Sequence, residues 1–246
     1  MIAKAEVKYI QSLAHKKFRD EEGLFIVEGV KMVQELIEEK PAAIKKIFAI
    51  GAWSRQHASS LPPGINVQVL EDFELSKISS LQSPNEALAL VQIPQPPISG
   101  FVPKGITVVL DQVQDPGNLG TIIRSCDWFG VENIICSTDT VDAYNAKVVQ
   151  SAMGSLLRPT IYYTALEEFL SAVPNMPVYA AVLDGESIGQ AVFETPCLLL
   201  IGNESKGLSP GIRAYATKAI TIPRKGKAES LNAGVATAVI LSAMTN

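Results

Sequence analysis

From residue 106 onward the chain alternates between short apolar runs and segments of helical period, and this alternation restricts the fold more than any other feature. Ile106-Thr107-Val108-Val109-Leu110 is nearly all β-branched and apolar, as a strand buried on both faces should be. A helix over Leu119–Phe129 follows, with Gly130 as its C′ residue. Then come strand Ile134-Ile135, helix Ala143–Met153, strand Thr160–Tyr162, helix Leu166–Val173 and strand Val178–Leu183. Strands Leu198–Ile201 and Ala219–Ile222 precede a last helix, Leu231–Met244. The order predicts an α/β unit, a mostly parallel sheet with helices on both faces. Such sheets bind ligands beyond the carboxyl ends of their strands, so the loops there are where chemistry is expected.

Upstream, the run IPQPPISGFVPKG (93–105) holds four prolines and two glycines and has little periodicity, which reads as a linker. The expected organisation is therefore a first domain over 1–93, a linker over 94–105 and a second domain over 106–246. The first part mixes strand-like runs (Leu24–Val27, Ile47–Ile50, Val67–Leu70, Ala87–Val91) with helical spacing at Val30–Glu39, Ala52–Ser59 and Glu71–Leu81. It reads as a smaller α/β domain.

Composition excludes several classes. Of 246 residues, 47% are hydrophobic and 19% charged, enough for a sizeable core and against wholesale disorder. Apolar runs such as Cys197–Ile201 fall far short of the roughly 20 residues a membrane span needs. The stretch MIAKAEVKYIQSLAHKKFRD has no apolar signal core, so a cytoplasmic protein is expected. The three cysteines (Cys126, Cys136, Cys197) form no C-x-x-C pair and the two histidines are His15 and His57, so neither a disulfide framework nor a metal site is expected. A net charge of −4 argues against a generic nucleic-acid coat. Within residues 1–19, however, Lys4, Lys8, Lys16, Lys17 and Arg19 stand against Glu6 alone, a local basic patch.

Three loops look built for more than packing. Asp111–Gly120 leads from a strand into a helix, with Asn118 read as an N-cap. On that helix Leu119, Ile122, Ile123, Cys126 and Phe129 share one face, while Arg124 and Trp128 lie opposite, a pairing that marks an interface or a site. In Gly202-Asn203-Glu204-Ser205-Lys206-Gly207-Leu208 the spacing G-x-x-x-x-G is present, but Leu208 stands where a phosphate loop requires Lys. Nucleoside triphosphate hydrolysis is thereby excluded, and glycines at both ends suggest close backbone approach to a ligand. In Ile222–Asn232 the cations Arg224, Lys225 and Lys227 precede a helix that is small and apolar on every side, with Ser230 or Asn232 as its cap. No histidine lies in the second domain, so a Ser–His–Asp arrangement is not available, and no G-x-G-x-x-G follows a strand.

Taken together, NLGTIIRSCDWFGV (118–131), LLLIGNESKGL (198–208) and IPRKGKAESLNAGVA (222–236) resemble the SpoU (TrmH-type) family of RNA ribose 2'-O-methyltransferases. KKFR followed by GLFIVEG is similar to the L30e/L7Ae-like substrate-binding domain that many members carry. The resemblance implies a deep C-terminal trefoil knot, S-adenosylmethionine held in the knot loops, and a homodimer formed through the knot region. It implies catalytic roles for Asn118, Arg124, Glu204, Ser230 and Asn232. It implies cofactor contacts from Leu183, Gly202, Asn203, Gly207, Ile222, Ser230 and Leu231. Lys16, Lys17, Arg19, Arg224, Lys225 and Lys227 are then expected to bind RNA, ribosomal RNA rather than transfer RNA. Gly234 departs from the family, where many members carry Ser. The alternatives are a catalytically silent RNA-binding protein of the same fold, a transfer-RNA enzyme, and a knotted enzyme acting on a base.

Overall fold

A computed structural model of the chain describes residues 1–81 and 83–246. The chain forms two compact units, Met1–Pro94 with Tyr144–Leu157, and Gln95–Ala143 with Arg158–Asn246. The split differs from the expected one in two segments: residues 95–105, expected as a linker, belong to the second unit, where Ile98 and Phe101 pack against its core, and residues 144–157 belong to the first. Residues 144–157 follow the βα alternation of the second half, yet they pack with the first unit.

The first unit contains α1 (Lys4–Ser12), α2 (Lys16–Glu22), β1 (Leu24–Glu28), α3 (Val30–Glu39), β2 (Ile44–Ile50), α4 (Gly51–His57), β3 (Val67–Leu70), α5 (Asp72–Leu75), β4 (Ala87–Gln92) and, from later in the chain, α7 (Ala146–Ala152). Its sheet runs β1-β4-β2-β3, with β4 antiparallel to both neighbours and β3 parallel to β2. Ile10, Leu13, Leu24, Phe48, Leu75 and Leu88 meet in its core. The basic arm at 16–19 is the helix α2, braced by the i,i+4 pairs Lys16–Asp20 (2.8 Å) and Lys17–Glu21 (3.8 Å).

Arg19 corrects one expectation. It is only 2% exposed, and its Nη1 donates to Leu13 O (2.8 Å) and Ala14 O (2.9 Å). It satisfies carbonyls at the end of α1, where no further helical turn can. A guanidinium so placed is structural and offers nothing to a phosphate.

Glu74 is buried, and its carboxylate accepts from Ile2 N–H (2.8 Å) and Glu71 N–H (3.2 Å). These bonds, the one from Ile2 foremost, hold its carboxyl below the usual carboxylate range. A lowered folded-state pKa adds stability above the unfolded value, lost as pH falls through the folded one. Glu74→Gln should therefore lower the melting temperature at pH 7 and flatten the acid limb of stability below about pH 4. Parallel acid limbs in wild type and variant would refute this.

The second unit contains β5 (Ile106–Leu110), α6 (Pro116–Trp128), β6 (Asn133–Ser137), β7 (Thr160–Thr164), α8 (Leu166–Ser171), β8 (Val178–Ser187), β9 (Cys197–Ile201), α9 (Pro210–Arg213), β10 (Lys218–Thr221) and α10 (Ala233–Met244). The six strands run β10-β8-β9-β5-β6-β7, and each neighbouring pair is parallel. β5 and β9, at the centre, are buried at every residue, as their unbroken apolar runs require. Helices flank the sheet. Leu166, Phe169 and Leu170 of α8 and Ile212 of α9 pack with Val109, Ile135, Leu198 and Leu200. β10 breaks register against β8 between Ala219 and Ile220. A Cβ on Gly185 there would fall 2.5 Å from Ile220 N, so only glycine fits the crossing.

All three cysteines are buried. Burial pushes the Cys126 and Cys136 thiols far up, and that of Cys197 up to about 11, so none supplies a thiolate nucleophile near neutral pH. Among the described residues no helix is long and apolar enough to cross a membrane, and no group of His, Cys, Asp and Glu could hold a metal ion.

Candidate active site

The site forms beyond the carboxyl ends of β5 and β9 and at the start of α10. Asp111, 3% exposed, follows β5 directly, and its Oδ2 accepts from Ser209 N–H at 2.7 Å. Gln112 lies in the left-handed region (φ 58), which costs a non-glycine residue roughly 1–2 kcal/mol. The turn is clamped from both sides. Gln112 N–H donates to Ser137 Oγ (3.0 Å), and its carbonyl accepts from Asn203 Nδ2 (2.8 Å).

Asp115, not Asn118, caps α6. Its carboxylate accepts from Asn118 N–H (2.8 Å), and Pro116 occupies the first helical position, where its missing N–H costs nothing. Relieved of capping, the Asn118 side chain turns inward and is 6% exposed. Its Nδ2 donates to Glu204 Oε1 (2.8 Å), and its Oδ1 accepts from Asn232 Nδ2 (2.5 Å). Asn232 Oδ1 in turn accepts from Gly234 N–H (2.9 Å) and Val235 N–H (3.2 Å), and so caps α10. That cap is why the last helix begins at Ala233 and not at Leu231. The polarity of this chain has one solution. Helix N–H groups can only donate and a carboxylate can only accept, so both amides must point the same way.

The loop after β9 is closed by its own hydrogen bonds. Asn203 and Gly207 exchange backbone hydrogen bonds (3.0 and 2.9 Å), and Asn203 Oδ1 accepts from Ser205 N–H and Lys206 N–H. The Asn203 side chain is thus committed to holding the loop and the Gln112 turn. The glycines answer to the loop's own backbone: a Cβ on Gly202 would fall 2.3 Å from Gly207 C and Leu208 N, and Gly207 has φ +69.

The remaining expected residues are more exposed. Arg224 Nη1 donates to Ala228 O (3.2 Å), while Lys225, Lys227 and Ser230 point to solvent. Leu183 (75%) and Leu231 (49%) are exposed apolar side chains, and Ile222 is half-buried. Among the described residues, the backbone N–H groups of Lys225–Leu231 have no partner. Arg124 makes no hydrogen bond or ion pair among the described residues, and on the outer face of α6 it neighbours Thr121 and Trp128 (84% exposed). One chain therefore joins Asn118, Glu204 and Asn232 but does not bring Arg124 or Ser230 into their network. Lys16 and Lys17 are exposed on α2. Asp111, Gln112 and Asp115 lie in a loop the sequence marks out, but it assigns them no individual role, although an acidic residue ending a fully buried strand is a usable signal.

Gly234 seats α10 against α6. A Cβ there would lie 2.7 Å from both Thr121 Cβ and Thr121 Cγ2. Gly234→Ser should cost about 1–3 kcal/mol in denaturant unfolding, and less in a Thr121→Gly background. Strict additivity of the two changes would show that they do not share the contact.

Residues 105–242 match the profile of the SpoU rRNA Methylase family, and residues 4–89 that of the MRM3-like substrate binding domain. The chain is 28% identical over 239 residues to the 23S rRNA (guanosine(2553)-2'-O)-methyltransferase RlmP of Bacillus subtilis, covering 96% of this chain and 94% of that one. It is similar to a TrmH-family structure from Porphyromonas gingivalis, with TM-score 0.89 and 36% identity over 99% of this chain and 98% of the other. An AdoMet-bound rRNA methyltransferase from Sinorhizobium meliloti superposes with TM-score 0.89 and 30% identity over 99% and 95%.

Proposed function

The chain belongs to the SpoU rRNA methylase family, and from that membership we propose that it methylates a ribose 2'-hydroxyl of ribosomal RNA with S-adenosylmethionine as donor. The observation that carries this reading is the hydrogen-bonded line Asn118–Glu204–Asn232, which ties together one polar residue from each of the three expected motifs. The surroundings suit the cofactor. Leu183 and Leu231 offer apolar contact, and the unpartnered N–H groups of Lys225–Leu231 offer hydrogen bonds, the mix found in small-molecule sites. When bound, S-adenosylmethionine supplies an electrophilic methyl on a sulfonium.

The chain's own residues supply position and field. Arg124 orients the 2'-hydroxyl and stabilises charge that develops on its oxygen. Guanidinium has no acceptor capacity, so the hydroxyl proton leaves to another group. The Asn118–Glu204–Asn232 line fixes the loops around the cofactor, and Asp111 with Asn203 fixes the line's surroundings. A 2'-hydroxyl substrate means RNA and not DNA. The first unit, with Lys16 and Lys17, and the exposed Arg224, Lys225 and Lys227 are the proposed RNA contacts.

The protein is proposed to act in the cytoplasm as a homodimer, with the trefoil knot of its family in the second unit. Val235 (47% exposed) and Val239 (37%) lie one turn apart on α10, and Trp128 stands on α6. These apolar side chains suit burial against a second copy, which would enclose Arg124 in a composite site. Val239→Lys is expected to give a monomer by light scattering and to lose transfer activity. A fully active monomer would overturn the dimeric site.

The direct test is transfer of radiolabelled methyl into unmodified ribosomal RNA and transfer RNA, followed by digestion to nucleosides. Label in 2'-O-methyl nucleosides of ribosomal RNA is the expected result. Label on a base, or in transfer RNA alone, would overturn the assignment.

A further inference from the structure

Four amide side chains gather where the loops after β5 and β9 meet the start of α10: Gln112, Asn118, Asn203 and Asn232. The fold uses three of them at both ends. Asn118 donates to Glu204 and accepts from Asn232, and Asn232 accepts in turn from Gly234 N–H and Val235 N–H. Asn203 donates to the Gln112 carbonyl and accepts from Ser205 N–H and Lys206 N–H. The fourth is different. Gln112 is half-buried, its backbone N–H and carbonyl are bonded, and its carboxamide makes no hydrogen bond among the described residues. A half-buried amide without partners forgoes bonds that its three neighbours all make.

The backbone beneath this side chain is pinned at each residue. Asp111 N–H donates to Ile201 O (2.9 Å), Gln112 N–H to Ser137 Oγ (3.0 Å), and Val141 N–H to Val113 O (2.9 Å). Ser137 Oγ lies 2.9 Å from Thr140 Oγ1, which donates to Leu110 O (3.3 Å). Together these bonds hold Gln112 at φ 58, a conformation that favours glycine first and then Asn or Asp. Glutamine brings nothing to that backbone. What it adds is a long carboxamide on a fixed base, and non-glycine residues in such conformations cluster at functional sites.

We propose that Gln112 reads the edge of a nucleobase beside the target ribose; that the base belongs to RNA rests on the methyltransferase reading above. A carboxamide presents an acceptor and a donor side by side, so it pairs in two bonds with a base edge that offers the complement. A phosphate only accepts and would leave the amide carbonyl unpaired. Sequence-specific RNA recognition works on splayed-out bases through such edge hydrogen bonds.

The test uses the full chain and compares wild type with Gln112→Gly, Gln112→Glu and Gln114→Ala. It measures melting, calorimetric titration of S-adenosylmethionine, methyl transfer into unmodified ribosomal RNA, and binding of single-stranded oligoribonucleotides of A, C, G or U. Glycine removes the amide and suits φ 58, so Gln112→Gly should melt no lower than wild type while its KM for RNA rises about tenfold. Gln112→Glu loses the donors and adds a negative charge, so KM should rise further. If one of the two fails to fold, the other decides. S-adenosylmethionine affinity should stay within about twofold in both. Gln114 is exposed in the same loop, and Gln114→Ala should leave KM within about twofold. The four oligonucleotides should differ in Kd by about tenfold with wild type and by no more than about twofold with Gln112→Gly. A wild-type KM in Gln112→Gly overturns the proposal while methyl transfer stands. So does an equal rise in Gln114→Ala. A matching loss of S-adenosylmethionine affinity would make Gln112 a cofactor contact, and a clear fall in melting temperature would make it structural; either overturns base reading. If wild type transfers no methyl, the functional reading fails separately and the oligonucleotides decide. A spread that collapses in Gln112→Gly supports base reading, and an unchanged spread, or none in wild type, overturns it.

Discussion

Arg124→Ala should lower the rate of methyl transfer about 100- to 1,000-fold and leave S-adenosylmethionine affinity within about twofold. The expectation follows from where the residue stands. Arg124 is exposed on α6, is bonded to nothing among the described residues, and supports neither the Asn118–Glu204–Asn232 line nor the loop after β9. Its removal is therefore expected to leave the fold and the proposed cofactor contacts in place and to take away only its proposed action on the reacting oxygen. Arg124→Lys should recover little, because an ammonium lacks the planar fork that holds a hydroxyl and a phosphate together. Single-turnover transfer and calorimetric titration of S-adenosylmethionine check this. Equal loss of rate and affinity would make Arg124 a cofactor-binding residue, and a wild-type rate would remove it from the mechanism.

The two halves of this site were not equally legible. β5 and β9 could be read from the sequence because a central parallel strand is buried on both faces and leaves an unbroken apolar run. The partners of Asn118 could not. They lie 86 and 114 residues away, and periodicity carries no information on which loops converge, so only the resemblance of three motifs in order pointed to them. Asn118 itself was misread as a cap because Asn and Asp cap equally well. Asp115 wins because Pro116 after it fits the first helical position. Arg19 shows the limit for charges, since a cation in a basic stretch looks the same whether it meets water or closes a turn on Leu13 and Ala14 carbonyls. Residues 144–157 show it for packing. Their helical period was legible, but the apolar face at Val148 and Val149 does not announce which unit it packs with.

Gly202→Ala and Gly207→Ala should separate two reasons for glycine within one loop, and the first has the largest expected effect on stability. At Gly202 the added methyl would sit 2.3 Å from the carbonyl carbon of Gly207 and from Leu208 N, both backbone atoms. No rotamer change relieves that contact, so the loop must open, at a cost of about 3 kcal/mol or more. Opening breaks the Asn203–Gly207 pair and draws Glu204 away from Asn118, so activity should collapse along with stability. At Gly207 nothing lies within 4 Å of an added Cβ, and the only penalty is φ +69. That conformation costs an alanine roughly 1–2 kcal/mol without displacing any neighbour. Denaturant unfolding and methyl transfer on both variants decide the matter. The expected pattern is a severe loss of both at 202 and a mild loss of stability alone at 207. Similar losses at the two positions would mean that the loop is not held by its own backbone contact. Glu204 would then owe its place to something other than the turn between these glycines.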